Sequence, residues 1–506
     1  MQFSELYLKL KEQLDTYLSG GLTAEQLKPF SAQFGVYEQR NGLFMVRIRI
    51  PGGDIDAAKL LTVAKIMKRH QIEYAHLSTR QDIQLQNVRA EDVYWVILAC
   101  SEAGMPFRGG GANTLRNIMT TENSGFSAAD VFDVQPHARA LNQFILNYDK
   151  AFALPRKFKI GFFSGKHELH YALVQDVGFV ATVSGGRKGF TVYGGGGMGR
   201  ESALGLKLFD FIPENEFIRC AVAMTDLFYD HGDRTNRSRA RVRFIVKNIG
   251  EEAFIELYRK YFAQTPAYEA DVKQVIYSVP DRKSFERNDT VSSGFDLWRQ
   301  YAVASSSQGK DIKTVRLYVP YGNLTAGQLE KIVLLTERYG AGFVRLARTQ
   351  DILLPLVHES VLPELFAALN RDFTEIDLVV KSFRGHIVSC VGSEVCKIGV
   401  LNSPAIAEAV AAELDGLFEH NQERKAALIN RIIDAIKISG CPNSCGAHPI
   451  AELGLQGQKK RINDKLEEVC MIFRTLSPLT LGVADENPKL VADIPALVRK
   501  YIANWL

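Results

Sequence analysis

The stretch Tyr74–Val88, YAHLSTRQDIQLQNV, has a second version at Phe343–Val357, FVRLARTQDILLPLV, and this pair decides how the chain is built. In both, a Gln-Asp-Ile triplet (81–83 and 350–352) stands at the same offset from a proline that closes a period-2 segment. The two segments are VRIRIP at Val46–Pro51 and VRLYVP at Val315–Pro320. Alternation of that kind reads as a half-buried strand. An amphipathic helix follows each: from about Asp56 to His70 in the first copy, and behind the capping-box pattern Thr325-Ala-Gly-Gln328 in the second. Each of the two quoted stretches is then expected as a strand. Further along, Phe107-Arg108-Gly109 answers to Phe383-Arg384-Gly385, and Asp176-Val-Gly178 to Glu452-Leu-Gly454. Matching offsets over this length read as internal duplication. One central site is expected on the pseudo-two-fold axis, with cysteines from one half and basic groups from the other. The expected parts are 1–120, 121–270, 271–375 and 376–506.

A chain of 506 residues, 46% hydrophobic and 23% charged, is a globular protein with more than one core. No apolar run approaches the roughly 20 residues of a membrane span. At the N-terminus, Phe3, Leu6, Tyr7, Leu10, Leu14, Tyr17 and Leu18 recur at helical spacing before Gly20-Gly21, so this segment reads as a helix and not as a secretory signal. Seven cysteines, an odd number without a signal, argue against a disulfide framework and for a cytoplasmic protein. A net charge of +4 does not point to nucleic acid. Arginines and lysines inside the apolar or glycine-rich stretches STRQDIQ, LRNIM and LPRKFKIGF instead suggest a lined pocket for an anion.

Cys390 and Cys396 (C-x5-C) and Cys441 and Cys445 (C-x3-C) stand apart from Cys100, Cys220 and Cys470, which sit alone in apolar surroundings. A mostly helical stretch is expected between the pairs. On spacing alone the four suit an iron–sulfur cluster, a zinc site or coincidence, with C-x5-C loose for a zinc knuckle. The run SCVGSEVCKIG followed by SGCPNSCGAHP, taken with TRQDIQ, RNIM, LPRKFKI and the glycine run, resembles the siroheme-dependent nitrite and sulfite reductase family over nearly the whole chain. The resemblance implies an α/β (α+β) fold, a pseudo-two-fold duplicated chain with two ferredoxin-like units and two α+β lobes that bind siroheme and the cluster. It further implies a 4Fe–4S cluster on Cys390, Cys396, Cys441 and Cys445, with Cys445 also the proximal siroheme ligand and Asn443 beside it in the cofactor site.

On the opposite face the resemblance assigns Arg80, Arg116, Lys157 and Lys159 to the substrate anion. In a strand, 157 and 159 share a face. Arg156 is assigned to a siroheme carboxylate, and Arg108, Arg200 and Arg348 are further candidates. Gly194–Gly197 lack the Lys-Ser/Thr ending of a phosphate loop, and close approach to a flat macrocycle is the reading preferred for them. No flavin or nicotinamide site is expected, so electrons come from a partner, a ferredoxin or a flavoprotein subunit. Lys159 favours sulfite, whereas the CVGSEVC loop is closer to nitrite-type members. The expectation is six-electron reduction of sulfite to sulfide, with nitrite reduction to ammonia as the alternative and a non-catalytic siroheme or iron–sulfur redox protein as a remote one. TTENSGF after LRNIM, and EEVCMIFRTLSPLTLG near the end, depart from the pattern and mark an outlying branch.

Overall fold

Gln81 and Gln350, the first residues of the two triplets, both have positive φ, 58° and 72°. In these two places the left-handed backbone turns the chain back on itself. In a computed structural model, which describes residues 3–273, 294–379, 382–417, 428–429, 431–432, 434–477, 479–503 and 505, each quoted stretch is therefore a hairpin and not the single strand expected. Tyr74–Leu77 pairs antiparallel with Ile83–Val88, and Phe343–Leu346 with Ile352–His358. The turn side chains explain the break. Ser78 Oγ donates to Asp82 Oδ1 at 2.8 Å in the first, and Thr349 Oγ1 to Asp351 Oδ2 at 2.7 Å in the second. Arg47 and Arg316, from the neighbouring strands, reach the same two carboxylates.

The first unit contributes β1 (Val36–Glu38), β2 (Phe44–Ile48), β3 (Asp54–Asp56), β4 (Tyr74–Leu77) and β5 (Ile83–Val88). The first lobe follows with β6 (Met119–Thr120), β7 (Ile160–Phe163), β8 (Val177–Ser184), β9 (Arg187–Gly194) and β10 (Leu206–Pro213). The second unit has β11 (Val303–Ser305), β12 (Ile312–Leu317), β13 (Asn323–Leu324), β14 (Phe343–Leu346) and β15 (Ile352–His358). The second lobe has β16 (Val388–Ser389), β17 (Ile436–Ser439), β18 (Leu453–Ile462), β19 (Lys465–Arg474), β20 (Val483–Ala484) and β21 (Lys489–Leu490).

The units are braided. β13 completes the first sheet, β1-β2-β5-β4-β13, and β3 completes the second, β11-β12-β15-β14-β3. The lobes repeat one topology: β6, β7 and β8 run parallel before antiparallel β9 and β10, just as β16, β17 and β18 precede β19 and β20. Gln81 Nε2 donates to Leu346 O at 3.1 Å while its Oε1 accepts from the Thr120 amide. Gln350 does the same across the axis, donating to Leu77 O at 3.1 Å and accepting from the Ser389 amide. Each glutamine thus ties the opposite unit to the lobe of its own half.

Helices sit where the sequence placed them. Phe3–Leu18 buries Tyr7, Leu10 and Leu14. Ala57–Arg69 starts on the Asp56 cap, and Ala326–Tyr339 on the full Thr325/Gln328 box. The two units and the second lobe share one apolar core, and the first lobe has its own. Ser403–Leu417 supplies a helix between the cysteine pairs, and part of the remaining stretch there lies outside the described residues. The four-part division remains a proposal. Its 120/121 limit falls at the end of β6, and its third part, 271–375, begins against residues 274–293, which lie outside the described residues. Among the described residues no helix is long and apolar enough to cross a membrane.

Candidate active site

The four paired cysteines occupy the loops that leave β16 and β17, two parallel neighbours, so both loops emerge at one sheet end. Gly440, directly after β17, donates its amide to Cys390 Sγ at 3.2 Å, and Ser403 Oγ lies 3.1 Å from the same sulfur. Asn443 Nδ2 donates to Cys441 Sγ at 3.6 Å. Backbone amides of Ile398 and Gly399 serve Cys396, and that of Asn443 serves Cys441. Burial pushes Cys390 up to about 11 and raises Cys396 and Cys441, and nearby Cys445 adds to all three. The four thiols therefore share one electrostatic neighbourhood. Burial alone holds Cys100 up at about 12, which keeps it inert.

Cys445 differs from its three companions in being exposed. Its loop is strained, with Ser444 and Ala447 both at positive φ. The Thr79 hydroxyl, from the first hairpin turn, donates to Cys445 O at 2.7 Å. The next residue along that turn is Arg80, so one turn holds the cysteine loop and supplies a cation beside it.

The cations come from the other half. Lys157 and Lys159 flank Phe158, which bridges Leu115 and is fully buried. The alternation sends both ammonium groups to the opposite side. Each is enclosed by protein yet partly accessible, as a cavity wall is. Among the described residues neither ammonium has a hydrogen-bond partner. Burial brings Lys157 down to about 8, helped by Arg241, Arg116 and Arg156 and opposed by Cys445. Lys159 falls well below the usual lysine range through burial, Arg80 and Lys157. Arg80 is locked in place, its Nε on Asn117 O, Nη1 on Gln175 Oε1 and Nη2 on Ile160 O. Arg116 is locked by Gly111 O, Thr114 O and Ala112 O. Burial pulls Arg80 to about 9, against the pull of Asp176 and Asp82, and Arg116 to about 10, with smaller contributions from neighbouring arginines at both.

Sequence reasoning missed Arg241 and Arg243. Arg241 pairs with fully buried Asp176 at 2.8 Å, and that carboxylate also accepts the Lys159 amide at 2.8 Å. The glycine run explains their position. A Cβ at Gly197 would meet Arg241 Nη2 at 3.0 Å and Arg243 Nη1 at 3.1 Å, and one at Gly199 would meet Arg243 Nη2 at 3.0 Å. The alternation Arg237-Ser-Arg239-Ala-Arg241-Val-Arg243 was the available signal. Arg156 stands in the field of Arg237 and Arg241. Arg348 lies elsewhere: it pairs with Glu168 and Glu122 and stacks on Tyr171 at 4.0 Å. Arg108 pairs with Asp149 and stacks on Phe152 at 4.1 Å, and Arg200 is exposed.

Arg241 Nη1 and Arg243 Nη1 are buried donors without a partner among the described residues. Such donors are costly unless an acceptor arrives. A ligand with many carboxylates fits this wall. The thiol set with its amide donors fits an iron–sulfur cluster, whose sulfurs take such hydrogen bonds. Among the described residues no three His, Cys, Asp or Glu side chains converge on one ion.

The chain matches two family models. "Nitrite/Sulfite reductase ferredoxin-like half domain" covers residues 37–102 and 305–372, and "Nitrite and sulphite reductase 4Fe-4S domain" covers 111–266. Together they span more than half of the sequence. The chain belongs to the nitrite and sulphite reductase family. Its cofactors are siroheme and a 4Fe–4S cluster, and it is an oxidoreductase acting on nitrite or sulfite. Ferredoxin–nitrite reductase of Synechococcus elongatus is 27% identical over 85% of this chain and 80% of its own length. Sulfite reductase [ferredoxin] 2 of Mycolicibacterium paratuberculosis is 26% identical over 82% and 70%. The NirA protein of Mycobacterium tuberculosis shares the fold, with TM-score 0.78 and 19% identity over 99% of this chain and 93% of its own.

Proposed function

We propose that the chain reduces sulfite to sulfide by six electrons taken from a ferredoxin. Support for the donor comes from relatives named as ferredoxin enzymes. The observation that carries the substrate reading is Lys159, a second lysine within the field of Lys157, Arg80 and Arg241. Sulfite reaches two negative charges near neutral pH whereas nitrite carries one, so an added cation favours sulfite. The name of the Synechococcus relative supports the second reading, nitrite reduction.

In the proposed assignment Cys390, Cys396, Cys441 and Cys445 hold the cluster, and Cys445 also reaches siroheme. Arg156, Arg241 and Arg243 meet siroheme carboxylates, and Asn443 steadies Cys441. When bound, siroheme supplies an iron centre that passes electrons to the substrate. Arg80 and Arg116, fixed by protein acceptors, set a positive field that costs no reorganisation. Lys157, with a pKa near 8, holds a proton at neutral pH and gives it up readily. Burial, with Arg80 and Lys157 beside it, pushes Lys159 further toward the neutral form, and an entering anion draws it back to the charged one.

The test is kcat/KM for sulfite and nitrite with a chemically reduced dye, in wild type and in Lys159→Asn. Wild type is expected to prefer sulfite, and the variant to move the ratio toward nitrite by at least about tenfold, the equivalent of one charged hydrogen bond. A wild type that prefers nitrite, or an unchanged ratio in the variant, contradicts the reading.

A further inference from the structure

Arg40 belongs to the turn between β1 and β2, in the half of the chain that supplies no paired cysteine, yet it grips a cysteine loop of the other half. Its amide donates to Val395 O at 3.0 Å. Its Nη2 faces three carbonyls of the next turn: Gly399 O at 3.0 Å, Cys396 O at 3.4 Å and Lys397 O at 3.5 Å. Glu38, two residues back, pairs with Lys397. The same hairpin thus holds the loop Val395–Gly399 through backbone, guanidinium and carboxylate.

The loop's amides show what the grip does. The Gly399 amide donates to Cys396 O at 3.0 Å and closes the turn, and the Ile398 amide lies close enough to the Cys396 sulfur to favour its thiolate. The Lys397 carbonyl and the Ile398 amide are two ends of one planar peptide unit. A guanidinium on the carbonyl end polarises the amide end, and hydrogen bonds in such a chain strengthen one another. The charge also lies within one short turn of the sulfur. Hydrogen bonds to cluster sulfurs and nearby charge are both levers on a cluster's reduction potential.

We infer that Arg40 is a positioning residue for the cluster, fixing the Cys396 loop and raising the potential at which the cluster accepts an electron. This rests on the assignment of the four cysteines as cluster ligands. A negative charge gained on reduction is stabilised by the cation and by the polarised amide, so removing Arg40 disfavours the reduced form.

The experiment is a redox titration of the purified holoenzyme, wild type, Arg40→Gln and Arg40→Lys, followed by the EPR signal of the reduced cluster. Arg40→Gln is expected to lower the midpoint, shifting the reduced-to-oxidised ratio at fixed potential by up to about tenfold, about 59 mV for one electron. Arg40→Lys keeps the charge but moves the donor away from the place of Nη2 among the three carbonyls, and a smaller shift in the same direction is expected. Midpoints equal to wild type in either variant overturn the proposal. If Arg40→Gln yields no folded protein, the Arg40→Lys midpoint decides alone. A wild type without any cluster signal overturns the cysteine assignment itself, an outcome distinct from an unmoved midpoint.

Discussion

Removing one partner from the pair between Arg241 and Asp176 leaves the other charge buried, since Asp176 is fully enclosed and Arg241 only 4% exposed. Breaking such a pair from one side costs about 3–5 kcal/mol. Arg241→Met is expected to lose that much in urea unfolding of the cofactor-free protein, and Asp176→Asn added to it is expected to recover part. Equal stability of Arg241→Met and wild type would mean that water reaches the carboxylate. At this scale the pairing of the cysteines and the shared face of the two lysines were legible because their signal is local, a spacing and an alternation around Phe158, while their proposed roles came from the family resemblance. Arg241 and Arg243 were not, because their place depends on Gly197 and Gly199, some forty residues away, leaving room for two guanidinium groups. Nor could a sequence show that Arg80 is already engaged by Asn117, Gln175 and Ile160.

Between elements, the crossing of the two units depends on two glycines. Gly53 (φ 73°) and Gly322 (φ 71°) precede the exchanged strands β3 and β13. A Cβ at Gly53 would stand 2.5 Å from Leu346 O, and one at Gly322 2.6 Å from Leu77 O. Positive φ and a backbone clash act together here, so Gly53→Ala and Gly322→Ala are each expected to cost about 1–3 kcal/mol or more. Chemical denaturation of the two variants checks this, and the pseudo-two-fold relation predicts similar losses. A loss at one position only would show that the two crossings are not equivalent. The helices were legible, since 3.6-residue periodicity and the Asp56 and Thr325 caps mark their limits. The hairpins were not, because no Gly or Pro marks the turns of the quoted stretches, and the break lies in the positive-φ backbone of Gln81 and Gln350.

For the molecule as a whole, duplication could be read from offsets, but braiding could not: β3 and β13 are three and two residues long and carry no periodicity of their own. The braid matters for function. It brings the first hairpin turn, with Thr79 and Arg80, against the Cys445 loop of the other half, so thiols and cations face one another across the axis. These two sides are proposed to form one centre holding a 4Fe–4S cluster and siroheme together. Iron and siroheme content with the absorption spectrum of the purified chain tests it most directly. About five irons per chain are expected, one in siroheme and four in the cluster, with a haem-like Soret and red band above broad cluster absorption. A colourless protein carrying a single zinc would contradict it.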